Sequence, residues 1–432
     1  MEKVLIKNGL VLSMAAERPV ISAGDILIEG SIIAKIGKSL PAEGVDKRID
    51  ARGKVIMPGL INCHSHAAMA LFRGYSDDLR LMDWLSKKIW PAEARIRGEE
   101  IYWGTMLASA EMIRSGTTTF ADMYAFMEDV AAAVRDSGMR ASLCQGLAFR
   151  DERAGLKRIK YTYRLFENWH GQAGGRITAM VGPHAPYTVP PDKMRLVIDL
   201  AAELNAAVHT HLAETSEEVD QIREMYGKSP TRYLADLGLF DSCRVLLAHA
   251  VHLTGEDISF LRGIKGGISH NPVSNMKLGC GVAPVVDLRR AGVTVGLGTD
   301  GAGSSSTLDM FQQIKTAAWL QKNHLGDPAA ITAYEVLRMA TVEGSRALGL
   351  EKETGTLEEG KKADIIIIDI EKPHLYPHND ICSLLAYSAT GADVDTTIIN
   401  GQIVMEKRVL LSMDEKKVMK KARECAAKIL EA

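Results

Sequence analysis

The stretch of sequence that decides the fold reads Pro58-Gly59-Leu60-Ile61-Asn62-Cys63-His64-Ser65-His66. Its apolar first half is typical of a strand that is buried on both faces, and two histidines follow at alternate positions. Since alternate residues of an extended chain face the same side, both imidazoles can point at one ion. A histidine pair of this kind is a weak signal alone, so its meaning depends on partners elsewhere in the chain.

Apolar segments like this one recur through the middle of the chain, and helical stretches separate them. The predicted strands cover residues 55–61, 117–121, 140–147, 177–181, 207–210, 245–248, 266–269 and 293–298. Predicted helices between them include residues 102–115, 193–204, 216–226 and 307–321. Eight strands that each precede a helix predict an α/β fold, a (β/α)8 TIM-type barrel, which we place at residues 59–350.

Both ends of the chain have a different character, with short β-rich segments and turns. Strands are predicted at residues 4–7, 25–29, 32–36, 363–369, 396–399 and 402–405. Asn400-Gly401 is a strong hairpin signal between the last two. We therefore expect a small composite β-sandwich domain built from residues 1–58 and 351–432, the second part of which also carries a charged terminal helix at 413–430.

Composition argues against several classes of protein. The chain has 432 residues and a formal net charge of -2, without the basic excess that is typical of nucleic-acid or membrane-surface binding. No apolar run approaches the roughly 18 residues of a membrane span. The charged N-terminus does not resemble a secretory signal, and none of the six cysteines stands in a C-x-x-C pair. We expect a cytoplasmic protein with reduced thiols and with neither nucleic acid nor membrane as partner.

The histidines are not spread evenly over the predicted elements. Eight of the 12 lie at or just after the C-terminal ends of predicted strands: His64, His66, His184, His209, His211, His249, His252 and His270. Asp300 follows the eighth strand. Barrel enzymes carry their active sites at this end, where the loops after the strands converge. Scattered core histidines would not collect at one rim, so the pattern predicts an active site there.

The predicted metal ligands are His64, His66, His211 and Asp300. Such a set leaves a position open for water, which suits catalytic zinc, and iron, manganese and nickel are alternatives. The bound ion would lower the pKa of its water toward about 7 and supply a hydroxide. We select His211 over His209 because Glu214 follows three residues later and places an acid beside the ligand. His209 is then expected to be packed or to lie behind the ligands.

These motifs resemble the metal-dependent amidohydrolase superfamily. The resemblance rests on residues 58–66 together with His211, His249 and Thr299-Asp300, and it extends over essentially the whole chain. Binuclear members carry a carboxylated lysine at the end of strand four, where this chain has Gly182-Pro183-His184. The resemblance therefore implies the mononuclear aminohydrolases, which act on bases and nucleosides.

Longer motifs are similar to those of the 5′-methylthioadenosine/S-adenosylhomocysteine deaminases and the related 5′-deoxyadenosine deaminases. They are Trp90-Pro91-Ala92-Glu93, residues 181–188, residues 209–215, residues 269–278 and Gly298-Thr299-Asp300-Gly301. One departure follows Asp300, where residues 301–307 read Gly-Ala-Gly-Ser-Ser-Ser-Thr and relatives often carry asparagines. The departure leaves the contacts of this loop open and does not touch the metal ligands.

The resemblance implies hydrolytic deamination of the adenine C6 amino group, which converts a nucleoside into its inosine analogue and ammonia. The implied substrates are 5′-methylthioadenosine, S-adenosylhomocysteine, 5′-deoxyadenosine and adenosine. Glu214 would protonate a ring nitrogen, His249 would orient the hydroxide, and Asp300 would pass a proton to the leaving ammonia. The implied substrate contacts are Glu93 at the ribose hydroxyls, Arg150, His184, Glu214 and Asp300. We expect a homo-oligomer, a dimer or a tetramer.

Two other functions stay open from the residues alone. The same site could deaminate or dechlorinate a free heterocycle such as guanine, a pterin or a triazine. Glu93 favours a nucleoside, because a free base has no ribose for it to bind. A catalytically silent scaffold is the remaining alternative, and it would lack a metal ligand or the acid. All of these residues are present in the chain.

Overall fold

The computed structural model describes residues 2–430, and its first five strands belong to one sheet. They are β1 (Lys3–Leu12), β2 (Ile21–Glu29), β3 (Ile32–Gly37), β4 (Lys47–Asp50) and β5 (Lys54–Pro58). β1 lies between β2, which runs antiparallel to it, and β5, which runs parallel to it. These strands extend further than the three short segments predicted in this part of the chain.

The next eight strands form a parallel sheet that curves into a nearly closed barrel. They are β6 (Leu60–Ser65), β7 (Thr117–Tyr124), β8 (Arg140–Leu147), β9 (Ile177–Pro183), β10 (Val208–Leu212), β11 (Val245–His249), β12 (Gly266–His270) and β13 (Val295–Leu297). Successive strands are neighbours in the sheet. The N–H of Asp300, just after β13, donates to the carbonyl of His64 on β6 at 2.9 Å and draws the two edges together. The predicted barrel is confirmed.

Helices connect the barrel strands and continue after them. The α-helices of six residues or more are Gly98–Arg114, Met127–Ser137, Glu152–Trp169, Pro191–Glu203, Ser216–Tyr226, Pro230–Asp236, Gly255–Phe260, Pro272–Lys277, Val285–Arg290, Met310–Leu325, Ala333–Met339, Val342–Leu348 and Glu415–Leu430. The remaining helical segments, which include 3-10 and π turns, are Ala67–Phe72, Leu81–Trp84, Leu85–Ile89, Trp90–Glu93, Gln172–Gly175, Leu239–Ser242, Ala302–Ser305, Pro373–Leu375, Ile381–Ser383, Leu384–Ser388 and Gly391–Asp393. No helix within residues 2–430 is both long and apolar enough to cross a membrane.

After the barrel the chain returns to the first sheet. Four strands complete it: β14 (Ile365–Asp369), β15 (Val394–Ile399), β16 (Gln402–Glu406) and β17 (Val409–Leu410). β14 pairs antiparallel with β5, and Ile365 lies opposite Pro58. Both chain ends thus build one nine-stranded sheet beside the barrel, as the composite domain requires. The division of the chain at residues 58 and 350 stays a prediction.

Side chains of the terminal sheet alternate between two cores. On β5, Ile56 is buried in a core that the sheet forms on its own inner face. Its neighbours Val55 and Met57 are buried in the larger core that contains the barrel helices. Strands present successive side chains to opposite faces, so the unbroken apolar run of β5 serves both cores. This double burial fixes the terminal sheet against the barrel.

The predicted strand at residues 55–61 is wrong, because the structure divides it between two sheets. Its first part is β5 of the terminal sheet, and β6 of the barrel begins after Gly59. The N–H of Gly59 donates to the carbonyl of Asp364 at 3.0 Å, and a Cβ at this position would meet the Thr118 side chain at 2.1 Å. The residues on both sides of Gly59, Val55–Pro58 and Leu60–Ile61, are apolar, so hydrophobicity alone did not reveal the change of sheet.

A buried ion pair also joins the barrel to the terminal sheet. Arg140 begins β8 and is 2% exposed, and its guanidinium donates to both oxygens of Asp364 at 2.7 and 3.1 Å. The Asn400 N–H donates to the same carboxylate at 2.7 Å. We expect Arg140→Ala to lower the free energy of unfolding by about 3–5 kcal/mol, because it leaves a buried carboxylate without its cation.

Chemical denaturation of the wild type and of Arg140→Ala measures this difference, provided that the unfolding free energy depends on denaturant concentration with the same slope in both proteins. The matched control is Arg52→Ala, which removes an exposed pair with Asp50 at 2.7 Å. Exposed pairs contribute about 0–1 kcal/mol, so the control midpoint should stay close to that of the wild type. Equal midpoints for the two variants would show that the buried pair does not stabilise the domain contact.

Candidate active site

His64 and His66 stand at the end of β6, and a carboxylate on the neighbouring strand shapes the turn that holds them. Oδ1 of Asp122 accepts from Ser65 Oγ at 2.8 Å and from the Ala67 N–H at 2.6 Å. The two hydrogen bonds anchor the backbone between and after the histidines. Asp122 was not predicted, because its contact depends on how β7 lies beside β6.

The predicted metal ligands meet in one cluster. Nε2 of His64 and Nε2 of His66 lie 3.6 and 3.4 Å from Oδ1 of Asp300. Nε2 of His66 lies 3.4 Å from Nε2 of His211. His249 joins the cluster as well, because it forms with His64 and His211 a group whose donor atoms lie within 4.8 Å of one another. The structure brings the predicted residues together, and their assignment as ligands stays a prediction.

The donor atoms of this cluster suit a metal ion. Nε2 of His64 is buried and has no hydrogen-bond partner. Buried polar atoms are nearly always paired, so an unpaired nitrogen among convergent donors is suited to bind an electrophile. Imidazole nitrogens and a carboxylate oxygen are donors that zinc and other borderline divalent ions accept. The residues therefore fit a divalent ion.

Hydrogen bonds on the outer ring nitrogens set the tautomers of two histidines. Nδ1 of His66 donates to the Met123 carbonyl at 2.5 Å, and Nδ1 of His211 donates to the His184 carbonyl at 2.6 Å. Because a carbonyl oxygen only accepts, each Nδ1 carries the proton and each Nε2 presents its lone pair to the cluster. Burial, together with the nearby His184, holds the pKa of His211 well below its ordinary value, so this ring is neutral.

Glu214 lies on the turn after β10, beside the cluster. Burial raises the pKa of Glu214, and His249 opposes this shift only in part. Oε1 of Glu214 lies 3.6 Å from Nδ1 of His249. A buried carboxyl group with a raised pKa has the character of a general acid.

A second glutamate, Glu218, fixes the backbone that carries Glu214. Ala213 has a φ of 48°, in the left-handed region that side chains rarely adopt. The Glu218 carboxylate accepts from the N–H groups of Ala213 and Glu214, each at 2.9 Å. Glu218 was not predicted, although Thr215-x-x-Glu218 is a recognisable helix-start pattern. The backbone conformation of the turn thus depends on a residue of the following helix.

Asp300 is held as a carboxylate with one oxygen directed to the histidines. The hydroxyls of Ser274 and Ser304 both donate to its Oδ2 at 2.6 Å. Burial alone would raise the pKa of Asp300, but His64 and the neighbouring imidazoles hold it well below its ordinary value. Ser304 belongs to the loop at residues 301–307, whose contacts the sequence left open. This loop supports Asp300 through a serine hydroxyl.

The cluster lies at a cavity of about 570 Å³, a size typical of small-molecule sites. Leu81, Trp84, Leu85 and Ile89 form part of its apolar wall. These residues come from one helical segment that precedes Glu93. The cavity therefore combines an apolar wall with the polar residues of the barrel rim.

The predicted substrate contacts Glu93 and Arg150 line this cavity. The hydroxyl of Tyr124 donates to Oε1 of Glu93 at 2.5 Å, and burial raises the pKa of Glu93. The Arg150 guanidinium lies 3.8 Å from the centre of the Trp90 ring, a cation–π contact. Tyr124 was not predicted, because it ends β7 beyond the residues recognised as a strand.

His184 and Arg158 line the cavity as well. Burial lowers the pKa of His184 to about 3, so its ring is neutral, and its Nδ1 lies 3.1 Å from Oγ1 of Thr188. Arg158 donates to the Gly146 carbonyl at 3.0 Å. Arg158 lies eight residues after Arg150, the arginine that was predicted as a substrate contact. The structure places both arginines at the cavity.

Besides His184, three further histidines of the predicted rim lie outside the donor groups. Nε2 of His252 lies 2.7 Å from the Cys280 carbonyl, to which it donates. His270 is fully buried, and burial lowers its pKa to about 3. His209 lies behind the cluster, where its Nε2 is 2.8 Å from Nδ1 of His64. Being at the rim was therefore not sufficient for a place in the cluster.

The barrel and its donor cluster define a class, the metal-dependent hydrolases built on a (β/α)8 barrel. The model of the amidohydrolase family matches residues 55–404. The chain is 51% identical to a 5-methylthioadenosine/S-adenosylhomocysteine deaminase of Pelotomaculum thermopropionicum, over 100% of this chain and 99% of the relative. It is 47% identical to a protein of the same name from Caldanaerobacter subterraneus, over 96% of each chain. The chain belongs to the amidohydrolase family.

A solved structure supports the same assignment. The adenosine deaminase of Xanthomonas campestris, with bound zinc, superposes with a TM-score of 0.95 at 33% identity and covers 99% of both chains. A triazine hydrolase variant at 25% identity superposes with a TM-score of 0.91. The protein is an enzyme, a hydrolytic deaminase, as predicted. The family, the zinc-bound neighbour and the histidine cluster support a divalent metal ion as its cofactor.

Proposed function

We propose that the protein deaminates 5′-methylthioadenosine and S-adenosylhomocysteine at C6 of the adenine ring, and 5′-deoxyadenosine and adenosine by the same chemistry. Relatives named for the first two substrates are 47–51% identical to this chain over nearly its full length. The observation that carries the proposal is that donor-cluster residues, Glu214 and Glu93 line one cavity. A nucleoside deaminase needs an activated water, an acid for the ring and a group for the ribose.

We assign His64, His66, His211 and Asp300 as ligands of one divalent ion, with zinc as the first choice. The unpaired Nε2 of His64 and the zinc-bound structural neighbour support this assignment. When bound, such an ion lowers the pKa of a water molecule to about 7 and so supplies a hydroxide nucleophile. The outer nitrogens of His66 and His211 keep these rings in the tautomer that can bind it.

Proton transfers in the reaction belong to residues of this chain. Glu214 donates a proton to a ring nitrogen as the nucleophile attacks C6, and its raised pKa keeps that proton available. His249 orients the nucleophile, and the Asn275 side chain, 2.8 Å from its Nδ1, holds the ring in place. Asp300, kept deprotonated, takes the proton of the attacking water and passes it to the departing amine. The C6–O bond forms, the C6–N bond breaks and ammonia leaves, and the proton of the new C6 hydroxyl returns to Glu214 as the carbonyl forms.

The nucleoside would be held by residues at the side of the cavity. Glu93 binds the ribose hydroxyls, and Tyr124 fixes one of its carboxylate oxygens. His184 contacts the base or ribose with a neutral ring. Arg150 and Arg158 contribute positive charge, which suits a 5′ substituent that carries a carboxylate. The apolar wall suits the thioether of the same substituent.

The direct test is the loss of adenine absorbance when the purified enzyme meets each of the four nucleosides. We expect all four to react, with the highest kcat/KM for 5′-methylthioadenosine or S-adenosylhomocysteine. Guanine and a chlorinated triazine are included, because the same site geometry could process a free heterocycle. If guanine or the triazine reacts and none of the four nucleosides does, the enzyme acts on a free heterocycle and the proposal is contradicted.

Glu93→Ala tests the ribose contact. We expect KM for adenosine to rise by roughly 10- to 100-fold with a smaller change in kcat, because a hydrogen bond to a charged group is worth about 1.5–3 kcal/mol. The matched substrate is 2′,3′-dideoxyadenosine, which lacks the hydroxyls. The variant should no longer discriminate between the two compounds. If the variant still preferred adenosine over 2′,3′-dideoxyadenosine as strongly as the wild type does, Glu93 would not bind the ribose hydroxyls.

A further inference from the structure

His64 differs from the other proposed ligands in what its outer nitrogen meets. Nδ1 of His66 and Nδ1 of His211 donate to backbone carbonyls at 2.5 and 2.6 Å. Nδ1 of His64 instead lies 2.8 Å from Nε2 of His209, a fully buried imidazole. An imidazole nitrogen can donate or accept, so this contact alone does not decide which nitrogen of His64 carries the proton.

Beyond His209 the hydrogen bonds continue to a thiol and end at a carbonyl. Nδ1 of His209 lies 3.6 Å from Sγ of Cys144, and this Sγ lies 3.4 Å from the backbone carbonyl oxygen of Asp122. All these side chains are buried. The carbonyl only accepts, so the Cys144 S–H donates to it and the Nδ1–H of His209 donates to the sulfur. Nε2 of His209 is then left as an acceptor.

We propose that His209 and Cys144 form a buried relay of hydrogen bonds that positions His64 as a metal ligand. When each group donates toward the Asp122 carbonyl, His209 accepts the Nδ1 proton of His64. Nε2 of His64, the unpaired atom, then presents a lone pair to the cluster. The opposite direction would place a proton on that Nε2 and block ligation. The inference rests on the metal role of His64 in the proposed function.

The chain offers a matched control for the thiol. Cys63 is fully buried and next to His64 in sequence, but its Sγ lies 3.7 Å from the Gly344 carbonyl and is not part of the relay. Cys144→Ala and Cys63→Ala remove the same atoms from the core and leave similar cavities. Only the first variant interrupts the hydrogen bonds behind His64.

The experiment measures the zinc dissociation constant of the full-length protein by competition with a chromophoric chelator. We expect His209→Leu to weaken zinc binding by about 10- to 100-fold, the usual effect of losing a partner of a ligand. His209→Gln should restore most of the affinity, because its amide oxygen can accept the Nδ1 proton of His64. Cys144→Ala should weaken binding less, and Cys63→Ala should leave it unchanged.

Two further measurements separate the relay from loss of packing. In the His209→Leu background, Cys144→Ala should have no additional effect on zinc affinity, because the sulfur acts only through His209. The visible spectrum of the cobalt-loaded protein should change in His209→Leu and return toward the wild-type spectrum in His209→Gln. A packing defect would not be rescued by the glutamine.

The proposal is overturned by a wild-type zinc affinity and cobalt spectrum in His209→Leu, or by equal losses in the two cysteine variants. If His209→Leu does not fold, the comparison of Cys144→Ala with Cys63→Ala decides alone. Absence of zinc binding in the wild-type protein would instead contradict the proposed function, which keeps the two failures distinct.

Discussion

Glu214→Gln is expected to lower kcat for 5′-methylthioadenosine by about 10²–10⁴-fold, the contribution of a positioned general acid. Glutamine keeps the size of the side chain but has no proton to give to the ring nitrogen. Zinc content should stay at the wild-type level, because Glu214 lies beside the donor cluster and is not one of the assigned ligands. Steady-state kinetics and metal analysis of the same preparations measure both quantities.

The matched control is Glu217→Gln, which changes an exposed glutamate three residues further along the chain. It should retain wild-type kcat and zinc content. Near-normal turnover in Glu214→Gln would remove this residue from the proton transfer. A parallel loss of zinc would mean that its role lies in the metal site instead.

Asp300→Ala should weaken zinc binding by more than about 100-fold and abolish turnover. The variant removes a donor oxygen that lies 3.4 Å from Nε2 of His66, and it also removes the carboxylate that accepts the proton of water. Loss of a supporting partner typically weakens metal binding by about 10- to 100-fold, so loss of a ligand should exceed that range. Chelator competition and deaminase activity at saturating zinc measure the two effects separately.

Asp300→Asn separates ligation from proton transfer, because it keeps a donor oxygen and loses the basic carboxylate. We expect zinc binding that is stronger than in Asp300→Ala and turnover that is still reduced by at least about 10²-fold. His374→Ala, which removes a half-exposed imidazole that lies 3.1 Å from a carboxylate oxygen of Asp393, serves as the control and should change neither quantity. Full activity in Asp300→Asn would contradict the role of Asp300 as base.

The barrel could be predicted because its strands are buried on both faces and alternate regularly with helices. Residues 140–147 and 216–226 were predicted with the bounds that the structure has. Hydrophobicity also concealed the break at Gly59, since the residues that flank it in the terminal sheet and in the barrel are all apolar. The passage of the chain from the terminal sheet to the barrel is marked by the hydrogen bond of Gly59 with Asp364, a residue far away in sequence.

The proposed ligands could be located because parallel strands bring their C-terminal ends together. The supporting residues were missed, since their roles depend on contacts between different strands and helices. Tyr124 reaches Glu93 from another element, and Glu218 reaches back to the turn before its own helix. Chain position alone carries no sign of such contacts, so single residues at strand ends were easier to recognise than their partners.

Hydrolytic attack at C6 of a bound nucleoside is tested most directly by isotope transfer. Zinc-loaded enzyme is incubated with 5′-methylthioadenosine in water enriched in oxygen-18, and the products are separated and examined by mass spectrometry. We predict one labelled oxygen at C6 of the inosine analogue, an equal amount of ammonia and an intact ribose bond. Release of free adenine, or a product without label, would contradict metal-assisted hydrolytic deamination by this site.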